Sequence, residues 1–241
     1  MKKIIPNSIT CLNLVCGVFA IVAASRFQFE QAAYAIALAS VFDFLDGLAA
    51  RLLNAKSVIG KDLDSLADIV SFGVAPALSV FFYLSSLEIP SYFPYFSDLI
   101  CFIAFLIPVL SAIRLARFNH DDSQTDSFKG LATPANALFF AFFTAFNQPS
   151  FTVLIILVIV FSILLNLKIP MFSLKFKNFK FAENAEKITF LALSLGLIVL
   201  FFQRTEKAEK AVPWIIFLYV LMSVWRFLRT SVHSSRNTGI K

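Results

Sequence analysis

Five aspartates fall in the stretch DFLDGLAARLLNAKSVIGKDLDSLAD, residues 43–68, while the chain on either side is almost wholly apolar. Asp43 and Asp46 are three residues apart and Asp64 and Asp68 four, spacings that share one face of a helix. Gly47 and Ala50 continue the first acidic face, and Gly60 lies one turn before Asp64. Two acidic, small-residue faces on consecutive helices result, joined by a turn through Asn54, Lys56 and Ser57. An antiparallel pairing of those helices would bring four carboxylates together. Asp62 sits roughly 200° around the helix from Asp64 and is expected to be a solvated loop residue pointing away. Four like charges beside lipid need compensation, because each ionised side chain at mid-bilayer costs at least about 2.5–3.5 kcal/mol. Protonation is one remedy. Divalent cations suit an all-oxygen cluster without His or Cys better, with Mg²⁺ or Mn²⁺ favoured and Ca²⁺ as a competitor. Four carboxylates carry about the charge of two such ions, which suggests a two-metal site. Gly47 and Ala50 would keep the helix surface low enough for a large anionic ligand to approach.

The elements that must position these acids are membrane helices. Of 241 residues, 59% are hydrophobic and 15% charged, against roughly 25% charged in an ordinary soluble domain. Apolar runs long enough to span a bilayer, about 20 residues each, are expected near 9–26, 31–52, 62–87, 97–118, 131–147, 150–168, 185–203 and 211–229. The fold class is therefore all-α: one polytopic membrane domain over 1–241 with about eight transmembrane helices. The opening MKK, an apolar run and AAS have the outline of a secretory signal, but Pro6, Asn7, Asn13 and Gly17 interrupt it, and an uncleaved first span is expected.

Seventeen of the 21 Lys and Arg fall on the side that holds the N-terminus, from Lys2 and Lys3 through Arg51, Lys61, Arg114, Arg117, Lys129 and Lys187 to Lys241. Arg26, Arg204, Lys207 and Lys210 make up the remaining four. Positive-inside asymmetry makes the first side cytoplasmic, with both termini inside a cytoplasmic (plasma) membrane and the acids facing the cytoplasm. The net charge of +6 is mostly this topology signal, helped by attraction to anionic lipid. Basic residues spread over short loops exclude a nucleic-acid patch. Cys11, Cys16 and Cys101 all lie in apolar runs and form no disulfide framework, and two histidines, His120 and His233, are too few and too far apart for a zinc site. The Lys- and Phe-rich segment 168–187 reads as an interfacial loop meeting lipid headgroups, and the aromatic stretch 92–96 as an interface anchor.

The run Asp43-x-x-Asp46-Gly47-x-x-Ala50-Arg51, eight residues, Gly60-x-x-x-Asp64-x-x-x-Asp68 resembles the complete signature of the CDP-alcohol phosphatidyltransferase family. The resemblance implies transfer of a phosphatidyl group from a CDP-linked donor to an alcohol, with release of CMP. It implies that Asp43, Asp46, Asp64 and Asp68 hold two divalent metals on the donor pyrophosphate, and that Asp68 is the general base for the acceptor hydroxyl. Gly47, Ala50, Arg51 and Gly60 would line the CDP site, together with Asn7 and Thr10 from the N-terminal motif. That motif, residues 6–17, is similar to the start of the membrane-type phosphatidylserine synthases of bacteria and archaea. So are Ser111-Ala112-Ile113-Arg114-Leu115-Ala116-Arg117-Phe118-Asn119 and Phe128-Lys129-Gly130-Leu131-Ala132-Thr133-Pro134-Ala135, although Ala132 stands where that subfamily commonly has Pro. The similarity covers residues 4–140, the expected catalytic core, and implies CDP-diacylglycerol and L-serine as substrates, phosphatidylserine and CMP as products, and a homodimer.

Arginine chemistry agrees with a carboxylate-bearing acceptor. Arg114 and Arg117 lie three apart at the end of the fourth apolar run, and a guanidinium fork matches a carboxylate bidentately. The same pair serves equally to hold a lipid phosphate, with Asn119 and Lys129 in the same group, or simply to snorkel at the interface. Glycerol phosphate or inositol phosphate would also want arginines, so charge alone leaves the alcohol open. A cation transporter remains a further alternative, disfavoured because Arg51 beside a cation path is counterproductive.

Overall fold

The chain, seen in a computed structural model that describes residues 3–55, 57–88, 97–120, 130–171 and 184–238, is built of helices. Lys129, the aromatic stretch 92–96 and most of the basic segment (172–183) lie outside the described residues. In order come α1 (Ile4–Ser25), α2 (Phe29–Leu52), α3 (Val58–Asp68), α4 (Ala75–Ser85), the short α5 (Ser97–Ile100), α6 (Leu106–His120), α7 (Thr133–Phe142), α8 (Phe151–Asn166), α9 (Ala185–Thr205) and α10 (Ala211–Thr238). A π-helical segment, Ile69–Val74, joins α3 to α4 into one 28-residue rod, Val58–Ser85.

Burial is arranged for lipid. Apolar side chains such as Phe19, Leu38, Phe44, Ile156 and Leu195 are exposed, whereas Thr10, Asn13, Ser71, Ser111 and Asn136 are buried. Polar groups point inward because bilayer hydrocarbon offers them no hydrogen bonds. Among the described residues six helices are long and apolar enough to cross a membrane: Ile4–Ser25, Phe29–Leu52, Val58–Ser85, Cys101–Asn119, Ala185–Thr205 and Ala208–Arg229. The expected fifth and sixth spans are present as helices but are shorter. The 16 residues of α8, and the 10 of α7 with a further five of π-helix, fall below the ~20 of a full span. Among the described residues, six of the eight expected spans thus reach the length of a full crossing.

α1 and α2 pack as an antiparallel hairpin over small side chains: Ala20, Ala23 and Ala24 face Ala32, Ala33, Ala35 and Ala39, all buried. Small residues let membrane helices approach closely, replacing the hydrophobic drive that lipid removes. Behind this layer, α4, α7 and α8 pack around a phenylalanine core in which the rings of Phe139 and Phe161 stack 3.9 Å apart. The Val58–Ser85 rod is the most enclosed of the six, with 56% of its apolar window buried, so it forms the axis of the bundle. The α9–α10 hairpin is peripheral. It is tied on the far side by the ion pair from Lys207 to Glu30, 2.8 Å, and by the Tyr34 hydroxyl donating to Glu209.

Two local features aim the acidic stretch. α2 ends at a turn in which the Asn54 amide donates to the Arg51 carbonyl and the Ala55 amide to the Ala50 carbonyl, with Asn54 in the left-handed region at φ 49°. That is a Schellman cap, for which Asn is a tolerated residue after Gly. Ser57 then caps α3, its hydroxyl accepting from the Gly60 amide at 3.1 Å. α3 therefore starts at Val58, several residues before the expected span, and Gly60 lies inside the helix. Further on, Pro76 has no N–H to donate and the backbone widens into the π turn directly after Asp68.

Candidate active site

The α2–α3 hairpin brings three of the aspartates together. One carboxylate oxygen from each of Asp43, Asp64 and Asp68 lies within 4.8 Å of the other two. Oxygen ligands at 2.0–2.1 Å from a Mg²⁺-like ion sit up to ~4.2 Å apart, so small side-chain adjustments suffice for a shared cation. Asp64 Oδ1 is buried without a hydrogen-bond partner among the described residues, an acceptor awaiting a cation or donor. The all-carboxylate cluster can hold a hard metal ion.

Asp46 differs from the sequence expectation of one four-membered cluster. It is 6% exposed, and its Oδ2 accepts a 2.6 Å hydrogen bond from the Thr10 hydroxyl on α1. Asp46 thus leans toward α1 and a neighbouring cavity, while Asp43 faces α3. Asp62 is exposed and outside the cluster, as its register requires, although it lies within α3 and not in the loop expected for it.

Asp68 lies deepest of the acids on α3 and is 8% exposed. Asn13 of α1 donates from Nδ2 to Asp68 Oδ1 at 3.2 Å. Asn13 is held in turn, since the Ser71 hydroxyl donates to its backbone carbonyl at 3.0 Å. This contact depends on Gly17: a Cβ there would stand 2.8 Å from Ser71 Cα, closer than real contacts allow. The N-terminal motif therefore packs α1 onto the Val58–Ser85 rod and fixes one oxygen of Asp68. Asn13 lies within that motif, yet nothing in its spacing marks it as the partner of an acid.

Beside the cluster opens a cavity of about 460 Å³ at the ends of α1, α2 and α3. Asn7, Thr10, Asp46, Gly47, Ala50, Gly60 and Asp64 line it, with Pro6, Ala55, Ser57, Val58 and Lys61. A Cβ on Gly47 would meet nothing within 4 Å, so that face of α2 opens onto free space. Arg51 is exposed and does not line this cavity. Lys61 reaches across its rim to donate to the Asn119 carbonyl at 2.7 Å, and Asn119 Nδ2 donates to the Ser65 hydroxyl at 2.8 Å. Asn119 therefore ties α6 to α3.

The two arginines of α6 take different environments despite their three-residue spacing. Arg114 is 9% exposed, bonds Thr133 Oγ1 on α7 through Nη1 at 3.1 Å, and lies within electrostatic reach of Asp68. Arg117 is exposed, and its Nη1 makes a long 3.4 Å contact to Asn166 on α8. They do not form one clamp.

The sequence profile of the CDP-alcohol phosphatidyltransferase family matches residues 3–164. Curated relatives include proteins named CDP-diacylglycerol–serine O-phosphatidyltransferase. The one from Helicobacter pylori strain J99 is 38% identical over 135 residues, covering 55% of this chain and 54% of the relative. The Bacillus subtilis protein is 35% identical over 130 residues, 54% of this chain and 69% of the relative. The Saccharomyces cerevisiae protein is 39% identical over 142 residues, 52% of this chain and 48% of the relative. The match spans about half the length of the Helicobacter and yeast proteins. With a profile match over α1 to α8, a paired acidic hairpin and an adjoining cavity, the chain belongs to the CDP-alcohol phosphatidyltransferase family.

Proposed function

We propose that this integral membrane protein is a CDP-diacylglycerol–serine O-phosphatidyltransferase, acting within residues 4–140 of one membrane domain. The observation that carries the reading is the carboxylate triad Asp43, Asp64 and Asp68 beside a 460 Å³ cavity. The names of the relatives supply the donor and the acceptor. Asp43, Asp64 and Asp68 would hold a divalent cation, Mg²⁺ or Mn²⁺, and Asp46 would complete a second position toward the cavity. When bound, such cations neutralise the donor pyrophosphate and stabilise charge growing on the leaving phosphate.

The chain's own residues do the rest. The cavity accepts the cytidine end of CDP-diacylglycerol between Asn7, Thr10, Gly47, Ala50 and Gly60, with Lys61 at the rim facing its phosphates. Arg51 contacts the same anion from the exposed side. Asp68, with one oxygen fixed by Asn13, takes the proton from the serine hydroxyl at its other oxygen. The serine oxygen then bonds the lipid-bearing phosphorus, and the bond from that phosphorus to the CMP oxygen breaks. Arg114 receives the serine carboxylate from the interior, while Arg117, together with Lys129, meets the lipid phosphate or neighbouring headgroups. The site faces the cytoplasm, where serine and CMP are soluble, and the chain works as a homodimer in the plasma membrane.

The test is CMP release by the purified protein with CDP-diacylglycerol, Mn²⁺ or Mg²⁺ and a panel of serine, glycerol phosphate and inositol phosphate. Serine should be used at least tenfold better than either phosphate. Preference for a phosphorylated alcohol would overturn the choice of acceptor while leaving the transfer chemistry in place.

A further inference from the structure

Beneath Asp68 lies a layer of buried polar groups that the proposed transfer has not used. Arg114 spends Nη1 on Thr133 and leaves Nε buried without a partner among the described residues. Ser111 lies one turn deeper on α6. It is fully buried, and its hydroxyl is likewise unpartnered. Asn136 lies one turn deeper than Thr133 on α7, fully buried, with neither Oδ1 nor Nδ2 partnered. α6 approaches the Arg114–Thr133 contact from inside the bundle and α7 leaves it toward the inside, so Ser111 and Asn136 both sit ~4.5 Å below that contact, on the continuing faces.

Their level relative to Asp68 follows from a second close approach. A Cβ on Gly73 would stand 3.4 Å from Pro108 Cα, which aligns those two residues in depth. Asp68 is five residues above Gly73 and Arg114 six above Pro108, so Asp68 and Arg114 share a layer. α6 and α7, which carry Ser111 and Asn136, both pack on the π-helical segment just below it. Buried polar atoms are nearly always hydrogen-bonded, and four unpartnered ones in adjacent turns call for a ligand that pairs them.

We infer that Arg114 Nε, Ser111 and Asn136 form the subsite for the acceptor's zwitterionic end, making Ser111 and Asn136 specificity-determining residues for an α-amino acid. The donor and acceptor inventory fits that class. Arg114 Nε and Asn136 Nδ2 can donate to a carboxylate, while Asn136 Oδ1 and the Ser111 oxygen can accept from an ammonium. A phosphorylated polyol carries no ammonium, so it could offer Asn136 Oδ1 and the Ser111 oxygen only neutral hydroxyl donors in place of charge-assisted bonds. Losing charge-assisted bonds at buried acceptors is how such a site would favour an acceptor that carries the ammonium. This assignment rests on the serine reading above and adds residues that no spacing in the sequence singled out.

The experiment compares wild type with Asn136→Leu and Ser111→Ala, full-length and purified. CMP release is measured with L-serine and with 3-hydroxypropionate, which keeps the hydroxyl and carboxylate but lacks the ammonium. A CDP-diacylglycerol-induced rise in melting temperature reports that each variant is folded and binds donor. Wild type should prefer serine strongly. Asn136→Leu should raise the serine KM about tenfold or more, the size expected for lost bonds to a charged ligand, with the CDP-diacylglycerol KM within about twofold. Its preference for serine over 3-hydroxypropionate should collapse to within about threefold, and Ser111→Ala should move both quantities the same way by less. Should Asn136→Leu lose the donor-induced shift, Ser111→Ala decides by the same two readouts. An unchanged serine KM with intact discrimination in a folded variant overturns the subsite alone. A wild type that releases CMP with glycerol phosphate but not with serine overturns the serine reading, and the subsite with it.

Discussion

Replacing Asn13 with Ala removes a hydrogen bond that fixes Asp68 without touching a carboxylate or the cavity wall. Asn13 Nδ2 reaches Asp68 Oδ1 at 3.2 Å, the long end of the N–H···O range, from a fully buried position on α1. A hydrogen bond to a charged acceptor is worth about 1.5–3 kcal/mol, and the length argues for the lower end, so the transition state should lose roughly tenfold in rate. Because Asn13 does not line the cavity, the loss should appear in kcat, with the KM for CDP-diacylglycerol unchanged within about twofold. The assay is steady-state CMP release at saturating serine. Ser71→Ala is the control: it removes the bond to the Asn13 backbone carbonyl but leaves the amide able to reach Asp68. It should cost only stability, about 1 kcal/mol. An Asn13→Ala enzyme with kcat within twofold of wild type refutes the positioning role. An equal kcat loss in Ser71→Ala would show that packing of α1, not the amide, sets the rate.

Gly17→Ala should lower the melting temperature by about 2–8 °C through overpacking at Ser71, read by thermal unfolding in detergent; an unchanged midpoint would mean α1 does not approach the rod so closely. Arg114→Ala should raise the serine KM about tenfold or more, whereas Arg117→Ala should leave it within about twofold and weaken CDP-diacylglycerol instead. Equal effects of the two on serine would restore a two-arginine clamp. Thorough metal removal with EDTA should eliminate turnover, and Mg²⁺ or Mn²⁺ should restore it; activity that survives chelation contradicts a metal-assisted site. A fluorescent protein fused after Lys241 should fold and fluoresce, as expected of a cytoplasmic C-terminus, and an active periplasmic phosphatase at that position would invert the topology.

What could be read from the sequence was whatever has a period. The spacings of Asp43, Asp64 and Asp68, and the outward register of Asp62, follow from helix geometry, and the structure reproduces both. Small residues on an acidic face foretold an open surface, and Gly47 does look onto free space. Individual side-chain choices had no such signal. Asp46 shares Asp43's face but is captured by Thr10, a partner 36 residues away that no local pattern identifies. Arg51 and Arg117 are long, charged side chains at helix ends, where solvent offers a cheaper environment than the interior, and both turn outward. Asn136 sits in the apolar run ANALFFAFF and reads as an incidental polar residue until α6 is seen to set Arg114 above it. Hydropathy registers how apolar 131–147 and 150–168 are, but not that Pro149 and Ser150 separate two helices each shorter than a ~20-residue span.

Serine-dependent CMP release by Asp64→Asn, measured beside Asp62→Asn, bears most directly on whether the carboxylate triad drives the transfer. The two positions are one side-chain direction apart on α3: Asp64 lies in the triad with a buried, unpartnered oxygen, and Asp62 is exposed outside it. The exchange to Asn removes the charge and keeps the size. Asp64→Asn should release CMP at least about a thousandfold more slowly, as for loss of an essential charged group in an active site, while Asp62→Asn should stay within about threefold of wild type. Comparable activity in the two variants, or a dead Asp62→Asn beside a working Asp64→Asn, would contradict the triad as the catalytic centre.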